Sequence, residues 1–319
     1  MFNKIIIFFC EASLTIGTGH VMRCLAIANM LKKNYCKCYF VTSSTSIELI
    51  PHLNDFFLIT PEKYNKNPIN CDLIIIDNYE LDYNFEKTLR NFANKIMIID
   101  DLFNRKHNCD ILLDQNFGVK KTFYKNLINK DCKTLLGTKY AILRPEFLEY
   151  RNKIYKKRKS TKTINKILIN FGGSDIKNHS LKALEMVEKT NFRGEINVVL
   201  GFLCPNLESI KKFSETSKNK IYVFQQANMA QMIYEADIAI AAGGSSTWER
   251  CCLGLPTYMI KIADNQSRIF EELGQNISFE NFLIEVEKNY IKYVKKYMSY
   301  VDAKGLTRIL DYLKKTEII

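Results

Sequence analysis

Short apolar runs alternate with amphipathic stretches along most of the 319-residue chain. The first run, IIIFF at residues 5–9, is followed by a glycine loop and then by apolar residues at helical spacing. Uninterrupted apolar runs of this length are typical of strands buried on both faces of a parallel sheet. The predicted strands lie at residues 5–9, 38–43, 72–77, 96–100, 109–114, 133–137, 167–171, 196–201, 221–225, 237–244 and 257–260, and the clearest helices at 20–33, 178–189 and 246–254.

The strand, glycine loop and helix succession occurs near residue 17 and again near residue 172, which predicts two similar α/β halves. Between them, residues 151–166 hold eight basic residues and no acidic one, as an exposed linker would. We therefore predict two Rossmann-like domains that face each other across a cleft holding the site. The predicted segments are an N-terminal domain at 1–150, a basic linker at 151–166, a second domain at 167–280 and a helical extension at 281–319.

The C-terminal extension shows apolar residues at helical spacing, which predicts a helix that packs on the body of the protein as a structural brace. The residues predicted to share its buried face are Phe282, Val286, Tyr290, Val294 and Tyr297.

Lys and Arg total 46 against 34 Asp and Glu, so the formal net charge is +12. Such a balance is compatible with nucleic acid, an anionic membrane or a phosphorylated substrate, or simply with a lysine-rich surface. The 10 cysteines form no Cys-x-x-Cys pair and have no histidine at zinc-finger spacing, which predicts buried, reduced thiols. No apolar run reaches the ~18 residues of a membrane span, and no signal sequence is evident. We expect a cytoplasmic protein that binds neither nucleic acid nor membrane, and the sequence makes no prediction of its oligomeric state.

The loop after the first predicted strand reads Gly17-Thr18-Gly19-His20. Glycines let a backbone approach a ligand closely, and free N–H groups at the start of the next helix can bind an anion. His20 stands at that helix start, where its imidazole could act on a bound substrate. Arg23, one turn further on, is a candidate for holding the loop or an anion. The alternative is a tight turn with an incidental histidine and a surface arginine.

A second glycine turn, Gly172-Gly173-Ser174-Asp175, follows the predicted strand at 167–171. Its backbone N–H groups and the Ser174 hydroxyl would suit a pyrophosphate. The alternative, which is compatible with phosphate binding, is that Ser174 or Asp175 caps the next helix.

The most specific motif is AGGSSTWER at 242–250, followed by LGLP at 253–256 and DNQ at 264–266. The small residues Gly243, Gly244, Ser245 and Ser246 leave room for phosphate, and the carboxylate of Glu249 can accept both hydroxyls of a ribose. The alternative is that Glu249 only complements the helix dipole while Ser246 is a cap.

Acidic side chains end two predicted strands, Asp77 before Asn78-Tyr79 and the pair Asp100-Asp101. Because open α/β sheets bind ligands at the carboxyl ends of their strands, all three aspartates are candidate site residues, although aspartate at a strand end is also a common turn former. We assign His52 and His107 to surface loops and His179 to the beginning of a helix, without functional roles. No cluster has metal-ligand spacing, so neither a metal ion nor a cofactor is expected.

In order along the chain, these motifs resemble the UDP-sugar hydrolases of pseudaminic acid biosynthesis. That family shares the GT-B fold with the lipid II glycosyltransferase and includes spore-coat polysaccharide proteins among its relatives. The resemblance extends over roughly residues 4–275. The matching segments are GTGH with Arg23, IIDNY at 75–79, CDILLD at 109–114, YAILRPEF at 140–147, FGGSD at 171–175, GGSSTWE at 243–249 and DNQ at 264–266.

The resemblance implies removal of UDP from UDP-2,4-diacetamido-2,4,6-trideoxy-β-L-altropyranose. It implies that His20 is the catalytic residue and that Tyr79 lies near the sugar. It also implies that Glu249 binds the ribose and that Asn265 lies near the phosphates or the sugar. The other residues expected to contact the substrate are Gly17, Gly19, Arg23, Asp77, Arg144, Gly172, Gly173, Ser174, Ser245 and Ser246.

The corresponding mechanism has His20 accept a proton from a water that attacks the anomeric carbon, which inverts its configuration. The diphosphate is a weak base and leaves without a strong general acid. The main alternative is a glycosyltransferase of the same fold, in which an acceptor hydroxyl replaces the water. No apolar loop for a lipid-linked acceptor is evident in the sequence, which favours hydrolysis. A basic nucleic-acid binder would leave three glycine loops unexplained.

Overall fold

A computed structural model of the protein describes residues 4–201 and 204–319, apart from the side chain of Asn265. The chain folds as two α/β units, which confirms the prediction of two Rossmann-like domains. The first unit consists of Met1–Leu143 together with Lys304–Ile319, and the second consists of Arg144–Ala303. All ten cysteines are buried and free, as the sequence predicts.

A fully parallel sheet of seven strands forms the centre of the first unit. Its strands are β1 (Lys4–Cys10), β2 (Cys36–Val41), β3 (Phe57–Ile59), β4 (Cys71–Asp77), β5 (Ala93–Ile99), β6 (Ile111–Asp114) and β7 (Lys133–Leu136). They are ordered β3-β2-β1-β4-β5-β6-β7, so the direction of winding reverses between β1 and β4. The carboxyl ends of these two strands lie side by side, with Cys10 opposite Asp77.

Four helices connect the strands of the first unit: α1 (Gly19–Lys33), α2 (Ser44–Leu49), α3 (Pro61–Lys66) and α4 (Tyr83–Leu89). Alternate side chains of β1 pack on opposite faces of the sheet. Ile6 and Phe8 join the core formed with α1, whereas Ile7 and Phe9 join the core that includes Tyr64 of α3. This double burial explains why β1 is apolar without interruption.

A second parallel sheet, of five strands, forms the centre of the second unit. Its strands are β8 (Lys166–Asn170), β9 (Glu195–Leu200), β10 (Lys220–Gln225), β11 (Ile238–Ala242) and β12 (Thr257–Ile260). Its helices are α5 (Glu146–Ser160), α6 (His179–Glu188), α7 (Leu207–Thr216), α8 (Met229–Glu235), α9 (Ser246–Cys252), α10 (Ser267–Leu273) and α11 (Phe279–Tyr300). The order β10-β9-β8-β11-β12 reverses between β8 and β11, where Asn170 lies opposite Ala241.

The basic segment 151–166 is not the exposed linker that the sequence predicts, because most of it belongs to α5 and Ile154 is fully buried. Three of its cations bind carbonyl groups at the ends of neighbouring helices. Arg151 donates to Met298 O at 2.9 Å, and Lys157 donates to Glu235 O at 2.8 Å. Arg158, which is fully buried, donates to Ile233 O at 2.7 Å. The last carbonyls of a helix lack partners within it, so cations are favourable there.

The predicted helical extension divides between the two units. Its helix α11 buries all five residues of the predicted apolar face, which confirms that face. After Ala303 the chain joins the first unit, where α12 (Gly305–Lys315) places Ile309 and Leu313 in the core with α1. Residues 281–319 are therefore parts of two cores and not one separate element. Among the described helices, none is long and apolar enough to span a membrane.

Candidate functional site

His20 and Asp77 meet where β1 and β4 end side by side in the first unit. His20 is the second residue of α1 and Asp77 is the last residue of β4. Nδ1 of His20 lies 2.5 Å from Oδ1 of Asp77, and both residues are buried. A carboxylate only accepts hydrogen bonds, so Nδ1 carries the proton in this pair and Nε2 of the neutral ring keeps its lone pair. The arrangement suits a histidine that accepts a proton at Nε2.

Arg23 binds the same carboxylate through two hydrogen bonds, and its Nη2 lies 3.2 Å from Nδ1 of His20. Its Nε lies 2.9 Å from Oδ2 and its Nη2 lies 2.8 Å from Oδ1 of that carboxylate. Burial alone would raise the pKa of Asp77, but Arg23 and His20 outweigh burial and lower this pKa. Burial likewise disfavours the charged guanidinium, yet Asp77 and Asp101 raise the pKa of Arg23. Asp77 therefore stays ionised, so it can orient the imidazole and stabilise its protonated form.

Tyr79 packs against His20 on the loop that follows β4. The two rings are edge to face, with centroids 4.6 Å apart. The Tyr79 hydroxyl donates to Oδ1 of Asp101 at 2.5 Å, and burial followed by Asp101 raises the pKa of Tyr79, which keeps it protonated. The Arg105 guanidinium lies over the Tyr79 ring, 5.7 Å from its centroid, and donates to Asn78 O at 3.1 Å.

His107 does not lie in the surface loop that the sequence predicts. It is buried, with Nδ1 2.7 Å from Oε1 of Glu86 and Nε2 3.6 Å from Oδ1 of Asp100. Burial would lower the pKa of His107, but the nearby carboxylates of Asp100 and Glu86 outweigh it and raise this pKa. Asp100 in turn pairs with Arg105 at 3.0 Å, so this network supports the loop of Tyr79. Asp100, Arg105 and His107 are close together in the chain, and Asp100 is one of the acidic strand ends noted in the sequence, but only the fold brings Glu86 to them.

Gly17 and Gly19 shape the loop that leads to His20. Gly17 has a φ of +82°, which only glycine adopts easily, and its N–H donates to Ser13 O at 2.8 Å. Gly19 is the first residue of α1. Two apolar side chains of this loop are exposed, Leu14 and Ile16.

The other two glycine turns follow β8 and β11 in the second unit, and these strands are neighbours. Gly172 has a φ of +92°. Gly173 packs so closely on Gly201 that a Cβ added to Gly201 would lie 1.7 Å from Gly173 O. The N-cap of α6 is Asn178, and not Ser174 or Asp175, because the Asn178 side chain accepts the Leu181 N–H at 3.3 Å. Asp175 supports the same helix end by accepting the N–H groups of His179 and Ser180 at 2.8 and 2.9 Å. The two turns thus lie at one edge of the sheet, at its reversal of order.

Glu249 and Arg144, both predicted substrate contacts, lie together in the second unit. Nη2 of Arg144 is 3.6 Å from Oε1 of Glu249, and Nε of Arg144 is 3.1 Å from Oε1 of Glu146. Burial raises the pKa of Glu249, and the charges of Arg144 and Arg250 act against this rise. The Glu249 side chain keeps 19% of its surface exposed, so its carboxylate can still reach a ligand.

Gln266, which the sequence interpretation did not select, joins the DNQ segment to the Gly243-Gly244 turn. Its Oε1 accepts the Gly243 N–H at 3.2 Å and the Ile262 N–H at 3.1 Å. The side chain of Asn265 lies outside the described part of the structure. Among the described residues, no group of three or more His, Cys, Asp and Glu could hold a metal ion.

Comparison with protein families finds no matching family model. The uncharacterized protein MJ1062 of Methanocaldococcus jannaschii is 31% identical over 287 residues, which are 84% of this chain and 58% of that protein. The UDP-2,4-diacetamido-2,4,6-trideoxy-β-L-altropyranose hydrolase of Campylobacter jejuni is 28% identical over 256 residues, 75% of this chain and 85% of that protein. The spore coat polysaccharide biosynthesis protein SpsG of Bacillus subtilis is 23% identical over 335 residues, 96% of each. The chain thus spans little more than half the length of MJ1062.

Two solved structures with 14% sequence identity match nearly the whole chain. MurG from Acinetobacter baumannii has a TM-score of 0.66, and UDP-GlcNAc 2-epimerase from Neisseria meningitidis bound to UDP-GlcNAc has a TM-score of 0.61. Each match covers 98% of this chain and 100% of the other. The fold is of the GT-B type. The sequence relatives also support the resemblance that the motifs indicate. At 14% identity, the two solved structures support the GT-B fold and nothing beyond it.

Proposed function

We propose that this chain is a cytoplasmic hydrolase of a UDP-linked deoxy-diacetamido sugar in pseudaminic acid biosynthesis. Its products are UDP and the free sugar, with inversion at the anomeric carbon. The observation that carries the proposal is the buried His20–Asp77 pair at the reversal of the first sheet. The C. jejuni relative, which is named as the hydrolase of UDP-2,4-diacetamido-2,4,6-trideoxy-β-L-altropyranose, supports the choice of this substrate.

In the proposed reaction, Nε2 of His20 accepts a proton from water as the water oxygen attacks the anomeric carbon. The carbon–oxygen bond to the diphosphate breaks, and its electron pair leaves with UDP. Asp77 stabilises the imidazolium that forms, because its carboxylate is held ionised by Arg23. Tyr79 packs against the imidazole and limits its rotation.

The second unit would bind UDP in this proposal. The turns at Gly172-Gly173 and Gly243-Gly244 end neighbouring strands, where backbone and hydroxyl groups of Ser174, Ser245 and Ser246 can surround a diphosphate. Glu249, partly exposed beside Arg144, would accept the ribose hydroxyls.

A glycosyltransferase that uses a UDP-sugar donor is the second candidate, and one observation favours it. Leu14 and Ile16, on the loop that leads to His20, are 42% and 49% exposed. The sequence interpretation had found no apolar loop of this kind. Such a pair would suit an apolar acceptor, whose hydroxyl would then take the place of the water.

The decisive experiment incubates the pure protein with a panel of UDP-sugars without any acceptor. Hydrolysis predicts release of UDP, and His20→Asn should lower turnover by about 10²- to 10⁴-fold while UDP affinity stays unchanged. His52→Asn, the same change on an exposed residue of the first unit, is the matched control and should be fully active.

Isotope incorporation distinguishes the remaining outcomes. In ¹⁸O-labelled water the label should enter the sugar and not UDP, because attack occurs at carbon. Label in UDP would mean attack at phosphorus and would contradict the proposed role of His20. Release of UDP only after an acceptor is added would establish the glycosyltransferase instead.

A further inference from the structure

Arg250 is a buried cation without an acidic partner. It is 2% exposed, and among the described residues no carboxylate oxygen lies within ion-pair distance of its guanidinium. The neighbouring Glu249 pairs with Arg144 instead. Burial lowers the pKa of Arg250, which reflects the cost of keeping its charge in this environment. An unpaired buried charge of this kind is strongly unfavourable unless another group compensates it.

Two other arginines in the described chain are buried, Arg23 and Arg158, and the charge of each is compensated by protein groups. Arg23 has the carboxylate of Asp77. Arg158 donates to the carbonyl groups of Ile233, Ala236 and Leu253, which lie at or just beyond helix ends, where carbonyl groups carry partial negative charge. Arg250 reaches only one carbonyl group, and its Nε has no hydrogen-bond partner in the described structure.

The hydrogen bonds of Arg250 span both ends of the Gly243–Ser246 turn. Nη2 donates to Ala242 O at 2.7 Å and to Thr247 Oγ1 at 3.0 Å, and Nη1 donates to Ser246 Oγ at 2.9 Å. A guanidinium only donates hydrogen bonds, so Ser246 Oγ must be the acceptor. The Ser246 O–H is therefore left to donate to another acceptor, and Ser246 is only partly buried.

We propose that Arg250 is a positioning residue for the diphosphate of a nucleoside diphosphate at this turn. Its charge is compensated by the bound anion, and its bond to Ser246 directs the serine hydroxyl toward the phosphate oxygens. The inference rests on the proposed binding of UDP to the second unit and adds the source of positive charge that this binding uses. Inorganic pyrophosphate shares the same chemistry and serves as a second probe.

The test compares UDP with uridine by calorimetry. Arg250→Met should weaken UDP binding by about 10- to 100-fold, the effect of a lost charge-assisted hydrogen bond, and leave uridine binding unchanged. Arg250→Lys keeps the charge but loses the bond to Ser246, so its UDP affinity should lie between those of the wild type and Arg250→Met. Arg158→Lys, a change at an equally buried arginine that binds carbonyl groups, should lower the melting temperature without altering UDP affinity.

A double-mutant cycle tests the path through Ser246. Ser246→Ala should weaken UDP binding in the wild type and have a smaller effect in Arg250→Lys, because the lysine no longer holds the hydroxyl. The cycle uses only Ser246→Ala and Arg250→Lys, so it still tests the proposal if Arg250→Met does not fold. If the effects of the two substitutions on UDP affinity are fully additive, the proposal is overturned.

Other outcomes separate the inference from the proposed function. Equal losses of UDP and uridine affinity in Arg250→Met would show a purely structural arginine, and unchanged UDP affinity would refute the inference while the proposed function stands. If the wild type binds no UDP, the proposed function fails. In that case pyrophosphate is the remaining probe. If it raises the melting temperature of the wild type but not that of Arg250→Met, the anion site is supported. If it does not raise the melting temperature of the wild type, the inference is overturned.

Discussion

Replacing Asp77 by asparagine tests whether the buried pair in the first unit is catalytic machinery or only structural support. The change keeps the size of the side chain and removes its charge. Arg23 loses a carboxylate that it binds through two hydrogen bonds of 2.9 and 2.8 Å, and His20 faces an amide that can donate as well as accept, so its proton is no longer fixed on Nδ1. Breaking a buried ion pair by removing one partner costs about 3–5 kcal/mol of unfolding free energy. The imidazole would also be free to adopt the unproductive tautomer, so turnover should fall by about 10²- to 10⁴-fold.

The assay follows UDP release from the UDP-sugar that the wild type hydrolyses, with calorimetry of UDP and chemical denaturation measured on the same samples. UDP affinity should be unchanged, because the proposed UDP site lies in the second unit. Asp72→Asn is the matched control, since Asp72 lies on the same strand, pairs with Lys4 at 3.2 Å and has no contact with His20. Wild-type turnover in a folded Asp77→Asn protein would refute the role of Asp77, and an equal loss in Asp72→Asn would show that instability alone explains the effect.

Three further predictions follow from other parts of the structure. Glu249→Ala should weaken UDP binding by about 1.5–3 kcal/mol in calorimetry, whereas Glu146→Ala, which removes the other carboxylate bound to Arg144, should not; unchanged affinity would remove the ribose assignment. Burial, followed by Asp101 and Asp100, raises the pKa of Asp114 to about 7, so the folded state holds this proton more tightly than the unfolded state. The unfolding free energy should therefore fall as the pH rises from about 4 to about 7, and urea titrations should show a smaller fall in Asp114→Asn than in the wild type or in the exposed control Asp311→Asn. Truncation after Ala303 removes α12 and should lower the melting temperature while UDP affinity is kept. Truncation after residue 280 should lower the melting temperature further, because it also removes the buried face of α11. A truncated protein that keeps its stability but loses turnover would instead show that the extension has a function.

The layered α/β fold was predictable because its main strands are buried on both faces. Double burial removes polar residues from a strand, as in β1 and β4, and leaves an apolar run that is visible in the sequence. The edge strand β3 was not predicted, since it is only three residues long and none of its residues is fully buried. The segment 151–166 was wrongly predicted to be an exposed linker because a run of cations is typical of a solvated segment. The carbonyl groups that bind some of these cations are distant in sequence, so the sequence does not reveal them.

The candidate site was predictable where glycine or a strand end marks it. His20 and Asp77 each stand at the end of a predicted element, and both fall at the reversal of strand order where α/β sheets place ligands. The pairing itself was not predicted, because nothing in the sequence states that β1 and β4 are neighbours. Asp101 is a candidate from the sequence as well, but its bond to Tyr79 is not evident there. Arg105 and Gln266 act through partners distant in sequence, so only the fold brings them to the site.

The buried charges of the two units are compensated in different ways, and this difference bears on function. In the first unit, Arg23 and His107 each contact carboxylates within the protein. The charges of these two residues are therefore balanced without a ligand. In the second unit, Arg250 has no such partner in the described structure, and Glu249 has a raised pKa. A preorganised base suits a group that must keep one geometry through the reaction, whereas an uncompensated cation suits a group whose partner arrives with the substrate and leaves with the product. The proposed division of labour, with proton transfer by the first unit and diphosphate binding by the second, agrees with this difference.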